Sequence, residues 1–536
     1  MATRWIRVPI WRSNENKGAG AGASIALPLP LPLPLMSIKS TIAKLLARRE
    51  TDAVMRRAMD PVATQQAVLN ELVRFGGDTA FGREHRLYEV RDHAGLQHAV
   101  PLRDYEGFRP YIDRVRFGED DVLWPGKPLY LCKTSGTTSG AKYIPITKES
   151  LRNHIGSARR ALLAYIAHSG QADFVNGKMI FLQGSPVLDT HGHIPIGRLS
   201  GIVANHVPRY LLRNRMPSFR TNSIPDWETK VEAIVTETLR ADMRLISGIP
   251  AWVQMYFERL LARTGNANVK EVFPDFSLFV YGGVNYAPYR SRMETLIGGS
   301  VPSVELFPAS EGFIAYQDKS HEEGLLLVLD NGIYYGFLPI NADRHPGLEP
   351  GSRQPRVLSI AEVVIGVQYA LVLYTNAGLW GYEIGDTIKF VSLSPPRIVV
   401  TGRTKHFTSA FGEHVIAEEV EGALKDAMAD APCEVAEFTV APQLAPAEGL
   451  PYHEWFIEFA AAPNDRTRFE EVMDAALQRR NPYYKDLITG KVLRPLVVRS
   501  LPRGAFAGWM KARGMNDAQS KVPRLANDRK YVEGLG

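Results

Sequence analysis

Lys133-Thr134-Ser135-Gly136-Thr137-Thr138-Ser139-Gly140-Ala141-Lys142 is the stretch on which the fold turns. The apolar run Leu129-Tyr130-Leu131-Cys132 precedes it and Tyr143-Ile144-Pro145-Ile146 follows it, so it is not a solvent linker. Its glycines let backbone amides turn toward one point, its hydroxyls add donors and its lysines add positive charge. A polyphosphate requires that combination. The nucleotide P-loop pattern GxxxxGK[ST] is absent, so a P-loop fold is not implied. A helix is predicted to begin after Thr147.

Outward from this loop, short apolar runs end in turn residues and are followed by helical stretches. Met179-Ile180-Phe181-Leu182 stops at Gln183-Gly184, Leu245-Ile246 at Ser247-Gly248, and Leu278-Phe279-Val280-Tyr281 at Gly282-Gly283. Val304-Glu305-Leu306-Phe307 stops at Pro308-Ala309-Ser310. Buried parallel strands place ligands at their C-terminal ends, which makes this an α/β body. Residues 325–329 and 333–337 flank Asp330-Asn331-Gly332, which predicts a hairpin and, with it, an antiparallel barrel-like subdomain. A strand over 397–400 runs into Thr401-Gly402-Arg403-Thr404-Lys405. A helix over 418–428, strands near 437–440 and 455–459 and a helix over 465–480 then form a small α+β unit. The expected division is a large domain over 37–401, a hinge at 402–405 and a smaller, mobile domain over 406–536. Upstream, Asp60-Pro61 is a helix-start signal. Ile38, Ile42, Leu45 and Leu46 share one face of an amphipathic helix.

The chain has 536 residues, 45% apolar and 22% charged, as expected of a soluble protein with a sizeable core. Two cysteines, Cys132 and Cys433, support neither a disulfide framework nor a structural zinc site, and a cytoplasmic location follows. No run approaches the ~18–20 apolar residues of a membrane helix. Residues 1–36 contain Gly-Ala repeats and prolines at 28, 30, 32 and 34, which exclude the helix of a signal peptide. They are expected to lie outside the fold, with Met36 an alternative start. The net charge of +6 is unevenly placed. Residues 481–536 hold eleven cations against four anions, and the body over 36–480 is net negative. With no interleaving of aromatic and basic residues, a nucleic-acid partner is not expected. The default oligomeric state is a monomer.

Four further motifs follow the loop in order: Phe307-Pro308-Ala309-Ser310-Glu311, Tyr382-Glu383-Ile384-Gly385-Asp386, Gly402-Arg403 and Gln519-Ser520-Lys521-Val522-Pro523-Arg524. Taken singly, each has a plain structural reading: a helix N-cap, a hairpin turn, a surface arginine and a solvated tail. His191-Gly192-His193 has no third ligand in view and reads as a loop rather than a metal pair. Trp252, in Gly248-Ile249-Pro250-Ala251-Trp252, packs a helix start and is a candidate border of a substrate pocket.

Taken together and in order, the motifs resemble the adenylate-forming superfamily, and within it the Gretchen Hagen family of acyl acid amido synthetases, over residues 37–524. The resemblance implies ATP and Mg²⁺ as cofactors, with a carboxylic acid and an amino acid as substrates. Thr134, Ser135, Gly136, Thr137, Thr138, Ser139 and Gly140 would hold phosphate. Gly282, Gly283, Phe307, Ala309, Ser310 and Tyr382 would border the nucleotide. Asp386 would accept from the ribose hydroxyls, and Arg403 would reach ribose and phosphate. Glu311 would hold magnesium, a cation that takes hard oxygen ligands shared with phosphate. Lys142, Glu311 and Lys521 are the implied catalytic set, Lys521 entering from the basic C-terminal segment as from a lid. Phe307 stands where tyrosine is common in the family, which preserves stacking and removes a phenolic hydrogen bond. A ligase using coenzyme A as acceptor and a non-catalytic nucleotide-binding protein remain alternatives.

Overall fold

The computed structural model describes residues 37–134, 142–190, 192–207, 212–284, 286–340, 355–403, 407–408, 410–413, 415–512, 522, 524–526, 528–530 and 532–535. Ile38–Gly536 is one compact unit. Strands are numbered in chain order. They are β1 (Tyr130–Thr134), β2 (Lys142–Ile146), β3 (Lys178–Phe181), β4 (Ile196–Gly197), β5 (Arg215–Met216), β6 (Met243–Ser247), β7 (Leu278–Gly282), β8 (Ser303–Ala309), β9 (Gly312–Tyr316) and β10 (Leu325–Leu327). Then come β11 (Ile333–Pro339), β12 (Gln368–Thr375), β13 (Tyr382–Leu393), β14 (Pro396–Arg403), β15 (Phe407–Thr408), β16 (Val415–Ile416), β17 (Glu434–Gln443), β18 (Tyr452–Ala461) and β19 (Val497–Leu501).

Among the described residues the central layer is an eleven-stranded sheet in the order β11-β12-β13-β14-β10-β9-β8-β7-β6-β3-β5. One half is parallel: β5, β3, β6, β7 and β8 run together. The other half, from β8 through β9, β10, β14, β13 and β12 to β11, is antiparallel. The antiparallel strands thus continue the α/β sheet edge to edge. β17, β18 and β19 form a separate three-stranded sheet. The helices Ala417–Asp430 and Arg466–Arg480 share an apolar cluster with that sheet.

The predicted hairpin does not form. β10 pairs with β9 and β14, whereas β11 pairs with β12. The glycine of Asp330-Asn331-Gly332 does take the left-handed conformation, with φ of 73°. The backbone groups beside the turn go elsewhere, however. Gln65 Nε2 donates to the carbonyls of Leu329 and Ile333, each at 2.9 Å, and its Oε1 accepts from the amide of Tyr335 at 2.8 Å. Arg160 holds Asp330 at 2.8 Å. One buried glutamine therefore occupies the edge a hairpin partner would have used.

The first helix also departs from its pattern. Ile38–Ala58 forms as predicted, but Ile38, Ile42, Leu45 and Leu46 are between 51% and 80% exposed. The buried residues are Ser40, Ala47, Val54 and Ala58. Small side chains let this helix approach the alanine-rich face (Ala161, Ala164) of the helix Lys148–Ser169, and the close approach decides the face. The predicted cap is in place: Asp60 Oδ1 accepts from the amide of Ala63 at 3.2 Å, and Pro61 opens the helix Pro61–Gly76.

The helix Lys148–Ser169 also buries His154, whose ring nitrogens have no partner among the described residues. Burial pushes its pKa down to about 4 from 6.5. The unfolded chain therefore binds this proton first as pH falls. The stability is complete above pH 6.5 and is lost progressively between 6.5 and 4, by about 3 kcal/mol in total. Urea midpoints at pH 7 and pH 4.5 will differ in wild type, and His154→Leu will shrink the difference.

Candidate functional site

β1 and β2 form a hairpin in which Thr134 stands opposite Lys142. The glycine-rich loop is thus the connection of a hairpin in a small three-stranded sheet with β4, not the end of a strand in the main parallel sheet. Ser135, Gly136, Thr137, Thr138, Ser139 and Gly140 lie outside the described residues, whereas Thr134 and Lys142 fix both ends of the segment. The predicted helix does start after Thr147, whose Oγ1 accepts from the amide of Ser150 at 3.1 Å.

The second motif meets the first. β8 runs through Phe307 to Ala309, Ser310 and Glu311 make the turn, and β9 returns with Gly312 opposite Ala309. The helix-cap reading of Ser310-Glu311 is thereby excluded. Cys132 Sγ on β1 lies 3.2 Å from Ser310 Oγ. Glu311 is 8% exposed, and its charge acts on Cys132. Burial pushes the Cys132 thiol up to about 12, which suits a packing residue and not a nucleophile. Gly282 lies beside Leu306 on the neighbouring strand β7. A Cβ at Gly282 would meet the Leu306 carbonyl oxygen at 2.5 Å, and Gly283 has φ of 81°. Glycine at 282 lets this strand end approach Leu306 and Pro308, and glycine at 283 permits the left-handed turn that follows.

The third motif sits inside a strand, which excludes the hairpin-turn reading. β13 runs from Tyr382 to Leu393, and its pairing with β12 slips between Ala370 and Val372. Ile384, Gly385 and Asp386 therefore bulge opposite Leu371, with Gly385 at φ of 90°. Such bulges re-aim side chains, commonly beside active sites. Asp386 stands opposite Arg403 of β14, so two predicted ribose-binding residues are cross-strand neighbours. Residues 101–104 lie along the start of β13: the amide of Arg103 donates to Gly381 O at 2.9 Å and that of Glu383 to Arg103 O at 2.8 Å. This strap carries the chain into the helix Tyr105–Arg116 and brings Tyr105 to the hairpin, where Tyr105 Oη accepts from the Tyr143 amide at 2.8 Å. Burial raises the Tyr105 pKa. Lys142 Nζ lies 3.5 Å from Tyr382 Oη and 5.8 Å from the Tyr105 ring centroid, between two aromatic groups and the loop.

A C-terminal element contributes what the sequence did not suggest. The helix Pro482–Thr489 brings Tyr483 into a hydrogen bond with Thr134, and the Arg198 guanidinium sits 4.3 Å over the Tyr483 ring. Arg198 also pairs with Asp486. Burial raises the Tyr483 pKa. These residues are separated by nearly 300 positions, and no motif marks them.

Lys521, the predicted lid lysine, lies outside the described residues. Its neighbour Arg524 packs against residues of the same predicted C-terminal domain. It pairs with Glu437, lies 3.4 Å from Glu421 and covers the Phe438 ring at 4.5 Å. Leu525 bridges to Val440 of β17. The excess positive charge of this segment is thus partly neutralised in place.

The comparisons with known proteins agree with one another. The GH3 family N-terminal domain matches residues 52–224, its central domain residues 326–403 and its C-terminal domain residues 418–530. The indole-3-acetic acid-amido synthetase GH3.4 of Arabidopsis thaliana is 22% identical over 555 residues, covering 87% of this chain and 90% of the relative. The jasmonoyl--L-amino acid synthetase JAR4 of Nicotiana attenuata is 22% identical over 392 residues, covering 61% and 66%. Among solved structures, the AtGH3.15 acyl acid amido synthetase in complex with 2,4-DB superimposes with a TM-score of 0.59 at 17% identity, covering 94% of this chain and 97% of that one. A 2-hydroxyisobutyryl-CoA ligase superimposes with a TM-score of 0.56 at 13% identity, covering 90% and 93%. These two likenesses establish the adenylate-forming fold. With the three domains of one family matched in order along the chain, this chain belongs to the GH3 family.

Proposed function

We propose that the protein is an AMP-forming acid–amino acid ligase that uses MgATP. The observation that carries the proposal is the meeting of β1 with the β8–β9 turn, where Cys132, two residues before Thr134, touches Ser310. The names of the curated relatives support amide formation. In the first step the acid's carboxylate oxygen bonds to the α-phosphorus of ATP, the bridging P–O bond breaks and pyrophosphate leaves. In the second, the amine of an amino acid bonds to the acyl carbon and AMP leaves, giving the amide.

Each residue has a stated part. Thr134 and the loop after it hold phosphate, and Lys142 offsets the negative charge gathered there. Gly282, Gly283, Phe307, Ala309 and Tyr382 border the nucleotide. Asp386 accepts from ribose, with Arg403 beside it. Lys521 stabilises charge in transfer from the C-terminal unit. The Glu311 carboxylate and the Ser310 hydroxyl are hard oxygen donors and fit a Mg²⁺ ion shared with the phosphates. Such an ion, when bound, neutralises phosphate charge. The buried setting of the site limits hydrolysis of the acyl-adenylate. Domains over 37–401 and 406–536 joined at 402–405 complete the proposal, and reorientation there would break the Tyr483–Thr134 and Arg198–Asp486 contacts. A monomeric cytoplasmic enzyme completes the proposal; among the described residues no helix is long and apolar enough to cross a membrane.

The test is pyrophosphate release with a panel of carboxylic acids and pooled amino acids, followed by product masses. Release with an amide product is expected. A thioester formed with coenzyme A, and no amide, would replace the ligase reading by the CoA-ligase one. The fold shared with the CoA ligase makes the acceptor the decisive observation.

A further inference from the structure

The helix Ile38–Ala58 leaves its most apolar stripe in water. Ile38, Ile42, Leu45 and Leu46 are each more than half exposed. At 3.6 residues per turn they fall within about 100° of one another on the helix surface. Ala47, Val54 and Ala58, on the opposite face, share a buried cluster with Ala161 and Ala164. Single exposed leucines are ordinary on a protein surface. Four on one stripe with a charged rim mark a face that meets something apolar.

The rim is positive throughout. Lys39 flanks one side of the stripe, Lys44 and Arg48 the other, and Arg49 continues the line of Leu45 one turn on. Lys39, Arg48 and Arg49 are exposed and Lys44 is half-buried. No acid occurs from Ser37 to Arg49, although the body over 36–480 is net negative. The first acids, Glu50 and Asp52, come after the stripe, and Glu50 is held by Arg160 at 3.1 Å.

The possible occupants differ in what they need. A second copy would set these cations against the same cations across a two-fold axis, with no acid to offset them. A protein that wraps a basic amphipathic helix needs access all round it, and one face of this helix is packed against the body. A flat anionic surface needs a single apolar stripe with cations on both sides, because the stripe enters the acyl boundary while the cations meet headgroups.

We propose that this helix docks the protein on an anionic lipid bilayer. It lies in the plane of the interface, with Ile38, Ile42, Leu45 and Leu46 inserted and Lys39, Lys44, Arg48 and Arg49 at the headgroups. The attachment is peripheral, since no helix among the described residues is long and apolar enough to cross a membrane. Residues 1–35, which precede the helix in sequence, add Arg4, Arg7, Arg12 and Lys17 against Glu15 and raise the positive charge of this end of the chain. Docking does not depend on which reaction the protein catalyses.

The test is co-sedimentation of the full-length protein with vesicles of phosphatidylcholine, alone or mixed with phosphatidylglycerol. Binding to the mixed vesicles is expected to be tighter by roughly tenfold or more and to weaken as salt is raised. Leu45→Gln/Leu46→Gln removes half of the stripe, and Lys39→Gln/Arg48→Gln removes one cation from each side. Each double variant is expected to lower partitioning into mixed vesicles by roughly tenfold or more. Glutamine is a good helix former and all four positions are exposed, so both variants keep the wild-type melting temperature. Equal binding to the two kinds of vesicle, no binding to either, or unchanged binding by either variant overturns the proposal. A wild-type dimer in analytical ultracentrifugation that Leu45→Gln/Leu46→Gln converts to a monomer also overturns it, because a second copy then covers the stripe.

Discussion

Replacing Asp386 by alanine lowers acid-dependent pyrophosphate–ATP exchange about 10³-fold. An ionised carboxylate that accepts two hydrogen bonds contributes roughly 1.5–3 kcal/mol for each, and the loss of both costs on the order of 4 kcal/mol. The placement of Asp386 on the β13 bulge, opposite Arg403, is what aims the side chain. A ligand role and a packing role separate in the kinetics. The ligand role raises KM for ATP and leaves the melting temperature close to wild type, and Asp386→Asn, which keeps one acceptor oxygen, retains part of the activity. A packing role lowers the melting temperature and is not rescued by asparagine.

The second large effect is on stability. Asp318 and Arg397 are buried, with side chains 5% and 4% exposed, and Arg397 Nη2 donates to Asp318 Oδ2 at 2.8 Å beside a second, shorter bond. Arg397 lies on β14 and Asp318 just beyond β9, with β10 paired to both strands. The pair therefore ties β9, β10 and β14 together where the antiparallel half joins the parallel one. Asp318→Ala leaves a guanidinium buried without its counter-ion and is expected to cost about 3–5 kcal/mol in denaturant unfolding. The double variant Asp318→Leu/Arg397→Met removes both charges and is expected to recover most of that loss. A double variant as unstable as the single one would place the cost in packing rather than in the uncompensated charge.

Local signals carried far along this chain. The runs ending at Gly184, Gly248, Gly283 and Pro308 did mark β3, β6, β7 and β8, because a short, largely apolar run closed by a turn residue favours a buried strand. Asp60-Pro61 and Thr147 stopped and started helices where capping chemistry requires it. The candidate residues Thr134, Ser310, Glu311 and Asp386 stand out in the same way, since they occur in short runs, each with its own chemistry.

Pairing and facing were not legible, because they belong to two segments at once. β10 and β11 read as partners across Asp330-Asn331-Gly332, and only the folded chain shows Gln65, some 265 residues away, bonding the edge between them. The stripe Ile38-Ile42-Leu45-Leu46 read as the buried face, and the small-residue face lies against the helix Lys148–Ser169 instead. Arg198, Tyr483 and Asp486 carry no motif, and tertiary structure alone sets them against Thr134. The sequence by itself determined where the elements start and stop and which chemistry each loop holds, since caps, turns and apolar periods act within a few residues. Strand partners and the covered helix face were decided by tertiary structure, because desolvation and shape are settled only when a distant segment arrives.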